Sequence, residues 1–159
     1  MKKKPLEYAL YLIEMRDRSV NEIRQKMEQK EYLPEDIEKT VQFLLDKDFL
    51  NDERFVESYI KQLQFRSQGI YKIRMQLARF GLERELIEEK LGEIDSEAEY
   101  EKAKELAINW MAKKGYSDAS AGASTPEIRR KKYEKVGRFL AGRGYSLDIV
   151  KKILNELLK

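Results

Sequence analysis

The chain has no cysteine and no histidine among its 159 residues. Without cysteine there is no disulfide framework, no thiol nucleophile and no thiolate metal site. Without histidine the commonest general base and the commonest transition-metal ligand are missing. Any chemistry would fall to carboxylates, Lys, Tyr or Ser, and these do not converge. The acid pairs Glu88-Glu89 and Glu99-Glu101 are adjacent or two apart on expected helices, so they point apart. A helical di-metal site would use Glu-x-x-His. The glycines sit singly near helix ends rather than in a phosphate-cradling loop, and Gly142-Arg143-Gly144 reads as helix termination. The composition points to a protein that is not an enzyme and uses no cofactor or metal. Proline is scarce, with three, and no apolar run approaches the ~20 residues of a membrane span. Met1-Lys2-Lys3-Lys4 has the charge of a signal-peptide start, but Leu6-Glu7-Tyr8-Ala9 puts an acid where the apolar stretch should follow. A cytoplasmic protein without membrane contact is expected.

What is present favours helices. Hydrophobic residues make up 42%, too much for a solvated tail, and charged residues 38%. Apolar residues recur at three- and four-residue spacing. Pro5 can open a helix bearing Leu6, Ala9, Leu10 and Ile13, with Tyr8 a further candidate for its apolar face. Ser19 and Glu22 form a capping box before Val20, Ile23 and Met27. Pro34-Glu35-Asp36 opens a helix whose apolar face is Ile37, Val41, Leu44 and Leu45. Asn51 or Asp52 can cap the next, which carries Phe55, Val56, Tyr59, Ile60 and Leu63. After a break at Ser67-Gln68-Gly69 come Ile70, Ile73, Leu77 and Phe80, stopped by Gly81, and then Leu86, Ile87, Leu91 and Ile94. Ser96 to Glu99 reads as a second capping box, ahead of Tyr100, Ala103, Leu106, Ala107, Trp110 and Met111. Thr125-Pro126-Glu127 starts a long basic helix reaching about Arg143. Ser146 leads into the last helix, with Ile149, Val150, Ile153, Leu154 and Leu157.

These helices repeat. Ile23, Met27, Tyr32, Ile37, Val41 and Leu44 map by an offset of 50 onto Ile73, Leu77, Leu82, Ile87, Leu91 and Ile94. An offset of 63 carries Ile73, Leu77, Gly81, Leu82, Ile87, Leu91 and Ile94 onto Val136, Leu140, Gly144, Tyr145, Val150, Leu154 and Leu157. The chain therefore reads as all-α, with three tandem three-helix repeats over residues 5–48, 49–95 and 96–159, the last holding a Ser/Ala/Gly-rich loop near 115–125. A trio of ~40 residues buries too little alone, so the repeats should stack into an elongated curved array.

Net charge is only +3, but the charge is segregated. From Ser58 to Leu82 there are five basic residues, Lys61, Arg66, Lys72, Arg74 and Arg79, and no acid. From Glu83 to Glu105 ten acids face four bases. From Arg129 to Arg143 seven bases, among them Arg129, Arg130, Lys131, Arg138 and Arg143, accompany one acid, Glu134. Such patches steer a polyanion or an acidic protein face even when net charge is small. Phe55, Tyr59, Phe80, Trp110, Phe139 and Tyr145 fall at core spacing, whereas Phe65 and Tyr71 are candidates for exposure.

The stretch Leu50-Asn51-Asp52-Glu53-Arg54-Phe55 with Tyr59, then Gly69, Ile73-Arg74, Leu77 and Gly81-Leu82, resembles the RecX family of regulators of RecA-type recombinases. The likeness runs from about Ala9 to Leu157 and resumes at Arg138-Phe139-Leu140 and Arg143-Gly144-Tyr145-Ser146. Glu31 departs from it, standing where the later repeats have Gly. The resemblance implies three-helix repeats, no catalytic activity, and binding along the groove of a recombinase–DNA filament. There the family typically lowers filament extension, ATPase and strand exchange. The ten basic residues named above are then the candidate contacts to the recombinase filament or its DNA, and a monomer is expected. The rival readings are a stand-alone helical DNA-binding protein, with basic second helices entering a groove, and a scaffold for an unrelated acidic partner. Asp52, Glu53 and Arg54 are expected to cap and brace rather than to bind.

Overall fold

The computed structural model describes residues 1–116 and 125–158. The loop expected near 115–125 lies almost wholly outside them. Among the described residues the chain is all-α: α1 (Pro5–Met15), α2 (Val20–Gln29), α3 (Pro34–Asp46), α4 (Asp52–Phe65), α5 (Ile70–Leu77) closed by a 3-10 turn (Ala78–Phe80), α6 (Arg84–Gly92), α7 (Ser96–Lys113), α8 (Pro126–Gly142) and α9 (Leu147–Leu157). Pro5, Pro34 and Pro126 occupy first turns, where an N–H would have no helical partner. Side-chain oxygens of Ser19, Asn51, Thr125 and Ser146 accept from the orphan amides of α2, α4, α8 and α9. The residues fall into two compact units, Met1–Ile60 with Gln76–Lys90, and Lys61–Met75 with Leu91–Lys159. The division passes through α4, α5 and α6.

In the first unit α1, α2 and α3 enclose Tyr8, Ala9, Leu12, Ile23, Met27, Ile37, Val41, Leu44 and Leu50. The buried stripe of α1 is Tyr8, Ala9 and Leu12, with Leu6, Leu10 and Ile13 only packed at its edge. The face expected from spacing is thus turned toward Leu12. Leu45, expected in the stripe of α3, is exposed, because Thr40, Val41 and Leu44 fill the inward arc.

The start of α2 is held from beyond its own trio. Ser19 and Glu22 make the expected capping box, at 3.1 Å in each direction. The Ser19 hydroxyl also donates to the Phe80 carbonyl at 2.8 Å, and the Val20 amide donates to Asp52 Oδ1 at 2.9 Å. Asn51 to Phe55 divide this bracing residue by residue. Asn51 caps α4 through the Arg54 amide and donates to Asp48. Arg54 bonds the Asp48 carboxylate and carbonyl, each at 2.9 Å, and so steadies Asp48 at a left-handed φ of 59°. Phe55 stacks with Tyr59 and meets the edge of Phe80. The bracing role expected for Asp52, Glu53 and Arg54 is what the geometry displays, with Asn51 rather than Asp52 as the α4 cap.

In the second unit α7, α8 and α9 enclose Tyr100, Ala103, Ala107, Met111, Val136, Leu140, Tyr145, Val150, Ile153 and Leu154. Trp110 stacks on Phe139 at 4.7 Å along the side of this core. The start of α5 is held here as the start of α2 is held in the first unit. The Gly69 amide donates to the Arg143 carbonyl at 2.7 Å, the Tyr71 amide to the Gly144 carbonyl at 3.0 Å, and the Ile70 amide to Glu99 Oε1 at 3.1 Å. The two arrangements match in register: Ser19 to Gly69 and Val20 to Ile70 are offsets of 50, and Phe80 to Arg143 is 63. This overturns the capping box expected at Ser96. Ser96 is already helical, Asp95 accepts from the Glu97 and Ala98 amides, and Glu99 has been drawn away to the α5 amide.

Candidate partner-binding surface

The ten basic residues divide unevenly. Arg79 belongs to the first unit. Lys61, Arg66, Lys72, Arg74, Arg129, Arg130, Lys131, Arg138 and Arg143 all belong to the second. Lys61, Arg66, Arg79, Arg129, Arg130, Lys131 and Arg138 are exposed, and Lys72, Arg74 and Arg143 are half-buried.

Two stretches far apart in sequence meet within the second unit, at the start of α5 and the α8–α9 turn. Lys72 Nζ donates to the Gly142 carbonyl at 3.2 Å, one residue from Arg143. Arg143 Nε is buried without a hydrogen-bond partner, and the guanidinium lies 5.9 Å from the Phe139 ring. Arg74 lies 5.5 Å from the Tyr71 ring. These three cations therefore serve the fold as well as the surface. Arg130 makes an i,i+4 pair with Glu134 at 3.8 Å, an exposed pair worth little.

The opening turns of α8 stand clear of the core. Residues 125–131 are all exposed, and Val136 is the first buried residue of the helix. At 1.5 Å per residue about 15 Å of helix precedes that anchor. Arg129, Arg130 and Lys131 lie on this overhang, so every side of it is solvated. Phe65 and Tyr71, expected to be exposed, are so at 85% and 56%.

Two features were not foreseen. Lys90 is only 7% exposed and its ammonium is clamped between Glu53 at 2.8 Å and Glu57 at 2.7 Å. The two carboxylates hold the ammonium protonated well above the ordinary lysine range, against the opposing effect of desolvation. Acids four apart at the start of α4, facing one lysine in a trio, are a signal that sequence reading could have used. The second feature is a cavity of about 180 Å³ in the second unit, walled by Ile73, Ile94 and Ala98 and lined by Glu99 and Tyr145. Burial raises the Glu99 carboxyl above its usual range, partly offset by the Ile70 amide. Burial and then the Glu99 charge push the Tyr145 hydroxyl up to about 12. No sequence signal marks this cavity, because Glu99 reads as a capping acid and Tyr145 as core.

Matches to known proteins agree with this architecture. One family model, described as RecX, first three-helix domain, matches residues 6–44, and another, RecX, second three-helix domain, matches residues 51–91. The chain belongs to the RecX family. Curated relatives named Regulatory protein RecX include one from Clostridium tetani, 33% identical over 150 residues, covering 94% of this chain and 65% of the relative. Another, from Clostridium botulinum (strain Eklund 17B / Type B), is 34% identical over 152 residues, covering 96% and 68%. The chain thus spans 65–68% of the length of these relatives. A crystal structure of RecX from Lactobacillus salivarius superposes with a TM-score of 0.81 at 23% identity, covering 97% of this chain and 94% of that one. A second RecX crystal structure gives 0.75 at 20% identity, covering 96% and 70%. At these identities the likeness is one of fold. The first RecX domain takes in nearly all of α1–α3 and the second takes in α4, α5 and most of α6. α7–α9 lie beyond both matched segments. Among the described residues no helix is long and apolar enough to cross a membrane.

Proposed function

We propose that the chain is a non-enzymatic cytoplasmic regulator that lies in the helical groove of a RecA-type recombinase filament and lowers its growth, ATPase and strand exchange. Membership of a family of regulatory proteins carries this reading. The second unit supports it with exposed cations at two places, Lys61 and Arg66 on α4 and the segment after it, and Arg129, Lys131 and Arg138 on α8. Weak contacts made in series on neighbouring protomers gain strength through effective concentration. Seated across a protomer junction, the protein opposes the movements that ATP turnover requires. The test is the DNA-dependent ATPase of the cognate recombinase, titrated with this protein well below one copy per protomer. Strong loss at low ratio supports filament engagement. No effect even at excess over DNA sites sets the reading aside.

The solvated overhang of α8 favours a second reading, a helical protein that binds DNA by itself through Arg129, Arg130 and Lys131. Its signature is tight binding to bare DNA that weakens linearly with the logarithm of salt.

A further inference from the structure

The cavity beside Glu99 and Tyr145 has the makings of a binding site that the regulatory reading leaves unassigned. Its volume, about 180 Å³, exceeds the ~150 Å³ at which an engineered apolar cavity admits benzene. Its walls are apolar, from Ile73, Ile94 and Ala98. Gln64, Gln68 and Lys102 complete the lining, together with two further polar groups, Tyr145 and Glu99. Tyr145 is 4% exposed, and its hydroxyl is buried with no hydrogen-bond partner. A buried hydroxyl left so is destabilising, so its position invites a partner. Glu99 uses Oε1 on the Ile70 amide, and Oε2 makes no hydrogen bond described in the structure.

The charge around the mouth selects the occupant. From its cap Asp95 to Glu105, the start of α7 has five acids, four of them on the helix, against Lys102 and Lys104. Lys102, on the rim, leans toward the Phe65 ring, its Nζ 5.9 Å from the centroid. A phosphate or carboxylate ligand would meet Glu99 and the acidic turn of α7. An ammonium or guanidinium on an apolar stem would meet Ile73 and Ile94 along the stem and Glu99 Oε2 and the Tyr145 oxygen at the head, with Lys102, turned toward Phe65, the like charge in the lining.

We propose that this cavity receives one lysine or arginine side chain of a protein partner. The proposal rests on the reading of the chain as a protein-binding regulator, and assigns one contact of it. The seat is coupled to the fold, because the carboxylate that meets the cation also holds the first amide of α5.

The test begins without a partner. The full ¹⁵N-labelled chain is titrated with n-butylguanidinium chloride, following the Ile70 amide, with sodium butyrate and pentanamide at equal ionic strength as controls. A saturable shift with the guanidinium, weakened at least about tenfold by Glu99→Gln, supports the site. Glutamine keeps an acceptor for Ile70, so the clasp survives the substitution. Tyr145→Phe should weaken the same response about threefold while raising the unfolding midpoint, since it removes an orphaned hydroxyl; a merely structural tyrosine would not weaken it. A shift with butyrate or pentanamide equal to that with the guanidinium overturns the proposal, as does one indifferent to Glu99→Gln. The second arm is the recombinase ATPase titration. Inhibition by wild type that Glu99→Gln leaves unchanged overturns the proposal while the regulatory reading stands. An inert wild type overturns the regulatory reading and with it the partner assigned to this cavity, whatever the probe titration shows.

Discussion

Gly81 faces Asn21 so closely that a Cβ on the glycine would lie 2.1 Å from Asn21 Nδ2. The corresponding glycine of the second unit, Gly144, would place a Cβ 2.5 Å from Lys72 Cβ and 2.7 Å from the Lys72 amide nitrogen. Both have left-handed φ, 66° and 93°. Glu31, at the same place in the first trio, has φ 62° and a side chain exposed to solvent. The helix end needs a left-handed residue in all three places. Only Gly81 and Gly144 have another helix start pressed against them.

The glycines should therefore respond differently to one methyl group. Gly144→Ala meets backbone as well as strained φ and should cost about 3 kcal/mol; Gly81→Ala, which meets a side chain, about 2 kcal/mol. Gly142 has nothing within 4 Å and lies in the helix, so Gly142→Ala should be neutral or stabilising by up to about 1 kcal/mol. Glu31→Gly should stabilise slightly, by relieving about 1 kcal/mol of left-handed strain. Urea unfolding of the four variants measures all of this. Equal effects for Gly142→Ala and Gly144→Ala would contradict the close approach at Lys72.

The departure of Glu31 from the repeat pattern thus has a physical reason, and that reason shows how far sequence could reach. Positions decided locally were legible: the Ser19 capping box, the opening prolines, the core register at offsets of 50 and 63. Leu12 was missed because Leu6, Leu10 and Ile13 satisfy the same spacing, and only packing chooses between two stripes on one helix. Glu99 was misread because a capping acid and an acid reaching another helix look alike in sequence. The Asn51 to Phe55 motif was legible as bracing, but which bond each residue makes required coordinates. The cavity was invisible, since it is defined by side chains from α4, α5 and α7 and from Tyr145 beyond α8.

Glu99 should leave a signature in the pH dependence of stability. Its folded-state carboxyl titrates above the ordinary value of 4.5. The folded chain then binds more protons than the unfolded chain across that window. The contribution to stability is fully present below the unfolded value and is lost as pH rises through the folded one. Wild type should lose stability relative to Glu99→Gln as pH increases from about 4.5, by denaturant midpoints at several pH values. Parallel profiles for the two proteins would show that Glu99 titrates normally.

Lys90 tests a different rule of burial. Either Glu53→Gln or Glu57→Gln leaves one carboxylate on the ammonium and should be tolerated. The double Gln variant strips both of these carboxylates from a buried cation and should lower the thermal midpoint most. Lys90→Met removes the cation itself, keeps the stem volume, and should be milder than the double variant. Thermal unfolding ranks the four, and a Lys90→Met variant worse than the double Gln variant would mean that the ion pairing, not its satisfaction, carries the stability.

The exposed and half-buried cations should separate in a charge-reversal series. Arg66, Arg129 and Lys131 are exposed, so Glu at all three should change stability by no more than about 0.5 kcal/mol per site. If they meet acidic recombinase surface or filament DNA, the triple reversal should weaken inhibition at least about tenfold, and the loss should shrink as salt rises. Lys72 is different, because its ammonium, from the start of α5, bonds the Gly142 carbonyl at the end of α8. Lys72→Glu should lower stability by about 1 kcal/mol as well as weaken binding, so its effect on inhibition is interpretable only beside its unfolding midpoint. Helicity by circular dichroism, urea midpoints and recombinase ATPase on the same preparations distinguish the two classes. Undiminished inhibition by the triple variant, with wild type active, would remove these cations from the interface and direct attention to the acidic face of α7.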